Sequence, residues 1–318
     1  MKIVDIYNLA IRMGISADPR GEEKIKKLLL REKKNYTDLK RAEKEEFDKE
    51  RFTNPYSDTR ILLDEPKSGR MAKKIKRALV GLDIGVAEVL LADRIKNIDL
   101  IISHHPLGRA LARLDEVMKL QADLLADCGV PINVAEDLLD IRMQEVSRSL
   151  HPVFHSKEID AAKLLDIPLM SIHTPADNLC FQYVKNKVER EDPETVGELI
   201  QVLKKIPEYK KATKEGAGPK IFAGNPERRC GKIVFTEITG GTSGHKDIYG
   251  RLSSAGVGTV VGMHMSEPYK KEAEKHHINV VIAGHAASDS IGMNQILDKL
   301  EKNGIKIVPC GGLIRYQR

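Results

Sequence analysis

The chain has 318 residues, more than one ordinary domain holds, so two domains or one domain with an appendage are expected. Hydrophobic residues make up 41% and charged residues 31%, which excludes wholesale disorder; with no Trp and 4% aromatics, the core must be aliphatic. The net charge of +6 comes from 52 basic and 46 acidic residues with no concentration on one segment, which argues against nucleic acid as a partner and leaves anionic small molecules open.

In chain order, residues 2–13 read as a short amphipathic helix. Residues 20–51 are rich in Lys, Arg and Glu, with sparse apolar positions (Ile25, Leu28, Leu29, Tyr36, Leu39, Phe47) at roughly helical spacing. They predict a charged helical hairpin, either a solvated appendage or a protein-contact element. From residue 76 the texture changes. Strands are predicted at 78–83 and 98–103, with a helix at 86–96 between them. A helix at 113–127, a strand at 130–134, a helix at 158–165 and a strand at 168–173 follow. Apolar strands alternating with helices predict a mostly parallel sheet covered on both faces. The stretch 175–206 reads as mostly helical, with Asp192-Pro193 suited to a helix start. Residues 207–229, rich in Lys, Gly and Pro, read as a linker. Strands are then expected at 232–238, 258–262, 278–283 and 305–309.

The four cysteines, Cys128, Cys180, Cys230 and Cys310, form no CxxC pair, so neither a disulfide framework nor a zinc knot is expected. No apolar run is long enough for a bilayer and no hydrophobic leader follows Met1, so a cytoplasmic protein is expected.

Ligands in open α/β sheets bind beyond the carboxyl ends of strands, and several histidines and acids fall there. His104 and His105, stopped by Pro106, follow the strand 98–103. Such a pair can face two metals, or be one buried and one exposed imidazole. His173 ends the next strand, and Asp177 lies four residues on, at a helix start. It suits a metal, or a helix cap or favourable first-turn charge. His285 and Asp289 follow the strand 278–283 at a spacing that puts both on one helix face. They suit a metal or a simple hydrogen-bonded pair. The turn Thr239-Gly-Gly-Thr-Ser-Gly244 precedes His245 after the strand 232–238; it is a tight connection or an anion contact, and neither a Walker loop nor GxGxxG. His264 ends another strand. Imidazoles and carboxylates without thiolates suit Zn, Fe, Mn, Co or Ni.

Ile-Ile-Ser-His-His-Pro, His-Thr-Pro-Ala-Asp and Ala-Gly-His-Ala-Ala-Ser-Asp, in that order and after Tyr56-Ser-Asp-Thr-Arg, resemble the Nif-three-like dinuclear-metal family (GTP cyclohydrolase I type 2 homologues) over roughly residues 54–318. The resemblance implies that His104, His105, Asp177, His285 and Asp289 hold two divalent metal ions, with His173 in a proton-transfer role beside them. Asp289 stands where the family commonly has a bridging Glu, one methylene longer. The charged segment at 15–51 is a further departure. The resemblance also implies two linked α/β modules and a homo-oligomer, commonly a hexamer.

The reading is therefore an α/β protein with two linked, mostly parallel modules and an N-terminal charged helical insert, divided as 1–53, 54–206, a linker at 207–229, and 230–318. Its expected function is metal-dependent hydrolysis of an anionic or nucleotide-like substrate, with His173 or His264 moving protons. The alternative is a non-catalytic metal-binding assembly or partner-binding protein.

Overall fold

The computed structural model describes residues 1–63 and 74–318. The chain opens with α1 (Ile3–Ser16), which buries Ile3, Ile6, Tyr7, Ala10 and Ile11, an i, i+3, i+4 stripe. The insert follows as α2 (Glu22–Asp38), α3 (Arg41–Glu46) and a 3-10 turn at Lys49–Phe52. In α2 only Ile25 is buried. Tyr36, Phe47 and Phe52 instead gather into a ring cluster with centroids 5.0 to 5.4 Å apart. The sparse apolar positions thus close the insert on itself.

Next come β1 (Arg60–Ile61), β2 (Arg77–Gly81), α4 (Val86–Ile95) and β3 (Leu100–Ser103). After a short α5 (Gly108–Leu111), the helix expected at 113–127 is broken into α6 (Leu114–Val117) and α7 (Leu120–Asp127). The strand expected at 130–134 is a helix instead. Pro131 caps α8 (Ile132–Leu150), which buries Ala135, Leu139 and Val146. The short apolar run after Gly129 imitates a strand, but the helical spacing of those three residues decides the conformation. After α9 (Lys157–Leu164) come β4 (Leu169–Ser171) and α10 (Thr174–Glu191), which ends at Asp192 in the left-handed region. The next helix, α11 (Val196–Lys204), starts at Thr195, whose hydroxyl accepts from the Glu198 amide, three residues later than Asp192-Pro193 suggests.

The stretch 207–229 is only partly a linker: it contains α12 (Pro207–Lys214) and β5 (Lys220–Ala223). Tyr209 and Ala212 are buried there, which the surrounding lysines conceal in the sequence. Then follow β6 (Lys232–Glu237), α13 (Ile248–Ser254), β7 (Val257–Gly262), α14 (Glu267–Lys275), β8 (Asn279–Ile282), α15 (His285–Lys302) and β9 (Lys306–Cys310).

Two mostly parallel sheets result. One has the order β1-β4-β3-β2-β9, the other β5-β8-β7-β6. Among the described strands, β1 and β5, both at edges, are the ones that pair antiparallel. Strand β9, last in the chain, pairs with β2 of the first sheet, while β5 joins the second. The sheets therefore do not follow the division into 54–206 and 230–318. Register aligns Gly81 with Ser103 and Ser103 with Ser171, so β2, β3 and β4 end side by side.

Helices α10 and α15 pack along one another and serve two cores. Cys180, Val184, Ala287 and Ile291 join one, whereas Ala176, Leu179, Met293 and Ile296 join the other. Their approach depends on Gly292, where an added Cβ would collide with the Ala176 carbonyl. No helix among the described residues is long and apolar enough to cross a membrane.

Candidate metal centre

The carboxyl ends of both sheets open into one cleft. His104 and His105 leave β3, and the Gly81–Ser103 register carries Asp83 beside them. His173 caps α10, which carries Asp177 in its first turn. His285 begins α15, and Asp289 lies one turn on, on the same face.

His104 is fully buried. Its Nδ1 lies 3.1 Å from the Ile172 carbonyl oxygen. A carbonyl only accepts, so Nδ1 carries the proton and Nε2 presents a lone pair. That Nε2 stands 3.5 Å from Asp177 Oδ1 and 3.6 Å from Asp289 Oδ1. His105 repeats the pattern: Nδ1 lies 2.5 Å from Asp83 Oδ1 and Nε2 3.3 Å from Asp289 Oδ2. His285 Nε2 lies 3.6 Å from the same Oδ2. In these tautomers the lone pairs converge on one region, an arrangement that a cation between them would satisfy.

Side-chain satisfaction supports this reading. The buried atoms lacking a hydrogen-bond partner include His104 Nε2, His105 Nε2, Asp177 Oδ1 and both Asp289 oxygens. Such atoms carry a desolvation cost that a metal would remove. Their spacing groups His105, His285 and Asp289 as one potential ligand set and His104, Asp177 and Asp289 as another. The residues present therefore fit divalent transition-metal ions in donor type.

Titration trends follow from the packing. Burial pulls His104 down to about 4 and also lowers His264 and His285, keeping these imidazoles neutral. Burial pushes Asp177 up to about 7. For Asp289, burial opposes ionisation, yet His104, His105 and His285 outweigh it and hold the carboxyl below its ordinary range. Burial likewise opposes a charged His173, but Asp177 and Asp58 raise it to about 9.

Of the residues expected from the sequence, His104, His105, Asp177, His285, Asp289 and His173 come together; the His104 and His173 rings are 4.9 Å apart. His264 joins the rim with its ring 5.1 Å from that of His285 and its Nδ1 3.2 Å from the Ser243 hydroxyl. His245 stays outside and bonds the Asp247 amide. Three acids were not singled out in the sequence. Asp83 and Asp58 hold His105 and His173 by Nδ1, at 2.5 Å and 2.8 Å. Glu237 ends β6 and lines the cleft with Thr239, Gly241, Thr242 and Ser243. Asp83 and Glu237 share a strand-end position, the one signal that could have found them. A larger cavity lies between the insert and α6–α7. Its Arg20, Arg51 and Arg60 are engaged by Asp18, Glu32 and Asp48.

No family model matches the sequence, and no curated protein does. Among solved structures, a NIF3 superfamily protein from Sphaerobacter thermophilus is similar over 98% of this chain and 99% of its own, with 21% identity and a TM-score of 0.74. Reduced HcgD from Methanocaldococcus jannaschii matches 78% of this chain and 86% of its own, at 14% identity and a TM-score of 0.47. A Bacillus cereus protein related to NIF3 matches 80% and 91%, at 11% identity and a TM-score of 0.39. The resemblance carried by the His-His-Pro and Gly-His motifs is met at the level of architecture: the chain has the fold of the NIF3 superfamily.

Proposed function

We propose that the chain is a dinuclear metal-binding protein acting as a metal-dependent hydrolase on an anionic or nucleotide-like substrate. The observation that carries this reading is the placement of Asp289. One oxygen faces His104 and the other faces His105 and His285, which is how a bridging carboxylate serves two ions. His104 and Asp177 would hold one ion, and His105 and His285 the other. Zn, Fe, Mn, Co and Ni all suit these donors. When bound, such ions lower the pKa of water and polarise an electrophile.

The chain's own groups then divide the proton work. His173, held charged by Asp177 and Asp58, suits a donor. His264, kept neutral by burial, suits an acceptor at the opposite rim. The shorter acid at 289 is compatible with bridging because its two oxygens already face different imidazoles. The chain is further proposed to be cytoplasmic and to assemble as a homo-oligomer, a hexamer as the family likeness implies.

Elemental analysis of untagged protein tests the centre. About two equivalents per chain are expected, reduced in both His105→Ala and Asp289→Ala. One equivalent unaffected by Asp289→Ala would refute the bridge. Hydrolysis of p-nitrophenyl phosphate by loaded protein, abolished in His105→Ala, tests the activity.

A second reading, a non-catalytic assembly or partner-binding protein, draws on α2, which buries Ile25 alone and leaves Leu30 exposed. It expects partner capture that requires residues 15–51 and is indifferent to His105→Ala.

A further inference from the structure

The glycine-rich connection after β6 forms the wall of the cleft facing the histidines and acids. Thr239, Gly241, Thr242 and Ser243 line it together with Glu237, His264, His285 and Asp289. The backbone of this loop is held from behind. The buried Gln121 of α7 donates its side-chain amide to the carbonyls of both Gly240 (2.8 Å) and Thr242 (2.5 Å). Arg142 Nε of α8 donates to the Ser243 carbonyl at 3.1 Å, and the Tyr269 hydroxyl of α14 to the Gly244 carbonyl at 2.9 Å. None of these three side chains lines the cleft.

A trans peptide points its C=O and N–H in opposite directions. Carbonyls 240, 242 and 243 drawn back toward Gln121 and Arg142 therefore turn the amides of Gly241, Ser243 and Gly244 away from those anchors, and Gly241 and Ser243 line the cleft. Gly240 and Gly241, at φ of 91° and 89°, allow the chain to take this path. Successive backbone amides facing one concavity bind anions. The hydroxyls of Thr242 and Ser243 stand beside them, and Thr239 is anchored by donating to Asn178 Oδ1 at 2.6 Å.

We propose that residues 241–244 form a phosphoryl-binding subsite opposite the metal ligands, held in its binding form by Gln121, Arg142 and Tyr269. Its ligand is a phosphate group on the substrate, which the hydroxyls and amides grip while the bond to be cleaved lies toward Asp289. The inference rests on the hydrolase reading for its orientation. The subsite itself stands on the loop alone. Gln121, Arg142 and Tyr269 are positioning residues: they touch the loop's carbonyls and not the ligand. The sequence conceals them, because Gln121 and Gly240 are 119 residues apart.

Titration of zinc-loaded protein with inorganic phosphate, followed by calorimetry, tests the subsite, with zinc content measured on the same samples. Wild type is expected to bind phosphate saturably. Gln121→Leu and Arg142→Ala are expected to weaken it about tenfold or more with zinc content unchanged, and Arg142→Lys to recover part of the loss. Ser243→Ala, which leaves the carbonyl anchors in place, guards against a folding artefact and is expected to weaken phosphate a few-fold. Absence of saturable binding in wild type, or equal affinity in wild type and all variants, would overturn the proposal. Zinc binding lost with loop-dependent phosphate binding intact would instead overturn the metal reading and leave the subsite standing.

Discussion

His173 Nδ1 lies 2.8 Å from the buried carboxylate of Asp58, 115 residues earlier in the chain. The same Asp58 oxygen accepts from the Thr174 hydroxyl at 2.6 Å. One acid thus holds both the last residue before α10 and the first residue of that helix, and through them sets where Asp177 enters the cleft. Removing the carboxylate leaves a buried imidazolium and a buried hydroxyl without their partner. Asp58→Ala is expected to cost about 3 kcal/mol in urea unfolding. A change below about 0.5 kcal/mol would show that the pair positions nothing.

Metal removal should register in stability. Ligands that bind only the folded chain add roughly 3 kcal/mol at a hundredfold excess over their Kd. Chelation is therefore expected to lower the unfolding midpoint by about 5 °C or more, judged by calorimetry. In Asp289→Ala the same treatment should have little effect. An equal drop in both proteins would place the stabilising metal elsewhere.

Gly292 sets the distance between Asp177 and Asp289, because it lets α15 approach the backbone of α10 at Ala176. Gly292→Ala must push the helices apart, at a cost of about 2–3 kcal/mol, and draw the two acids out of register. Metal content should fall with the stability. Retention of full metal content in a folded Gly292→Ala protein would show that the helix crossing does not set the site.

Glu237 provides a pH signature. Burial raises its carboxyl from the ordinary 4.5 to about 7, partly offset by the Tyr249 hydroxyl, which donates to Oε1 at 3.2 Å. Between those values the folded chain holds a proton that the unfolded chain has released. Stability from this group is full below about pH 4 and falls as pH rises through 7. Glu237→Gln should remove that slope and be the more stable protein above pH 7, by at most about 3 kcal/mol. Parallel stability curves for the two proteins between pH 4.5 and 8 would contradict the assignment.

The sequence was most informative where a short range decides the outcome. Strands β2, β3, β4, β7 and β8 are apolar runs ended by polar or turn-forming residues, and each was readable from that pattern alone. The histidines and acids placed just beyond them marked the cleft for the same reason. The run 130–134 misled because five residues cannot reveal a helical period, while Ala135, Leu139 and Val146 can. Lysines masked α12 because its buried side, Tyr209 and Ala212, is brief.

Other features depend on distant segments meeting, and only the tertiary structure decides them. The return of β9 to β2 depends on pairing across some 230 residues, which no local pattern encodes. Asp58 reaches His173 only because β1 pairs with β4, and Gln121 reaches Gly240 only because α7 packs on the second sheet. The sequence by itself determined which residue types stand at the strand ends. The folded chain decided which lone pairs confront one another and which acids orient the imidazoles, because those relations depend on distances between elements and not on spacing along the chain.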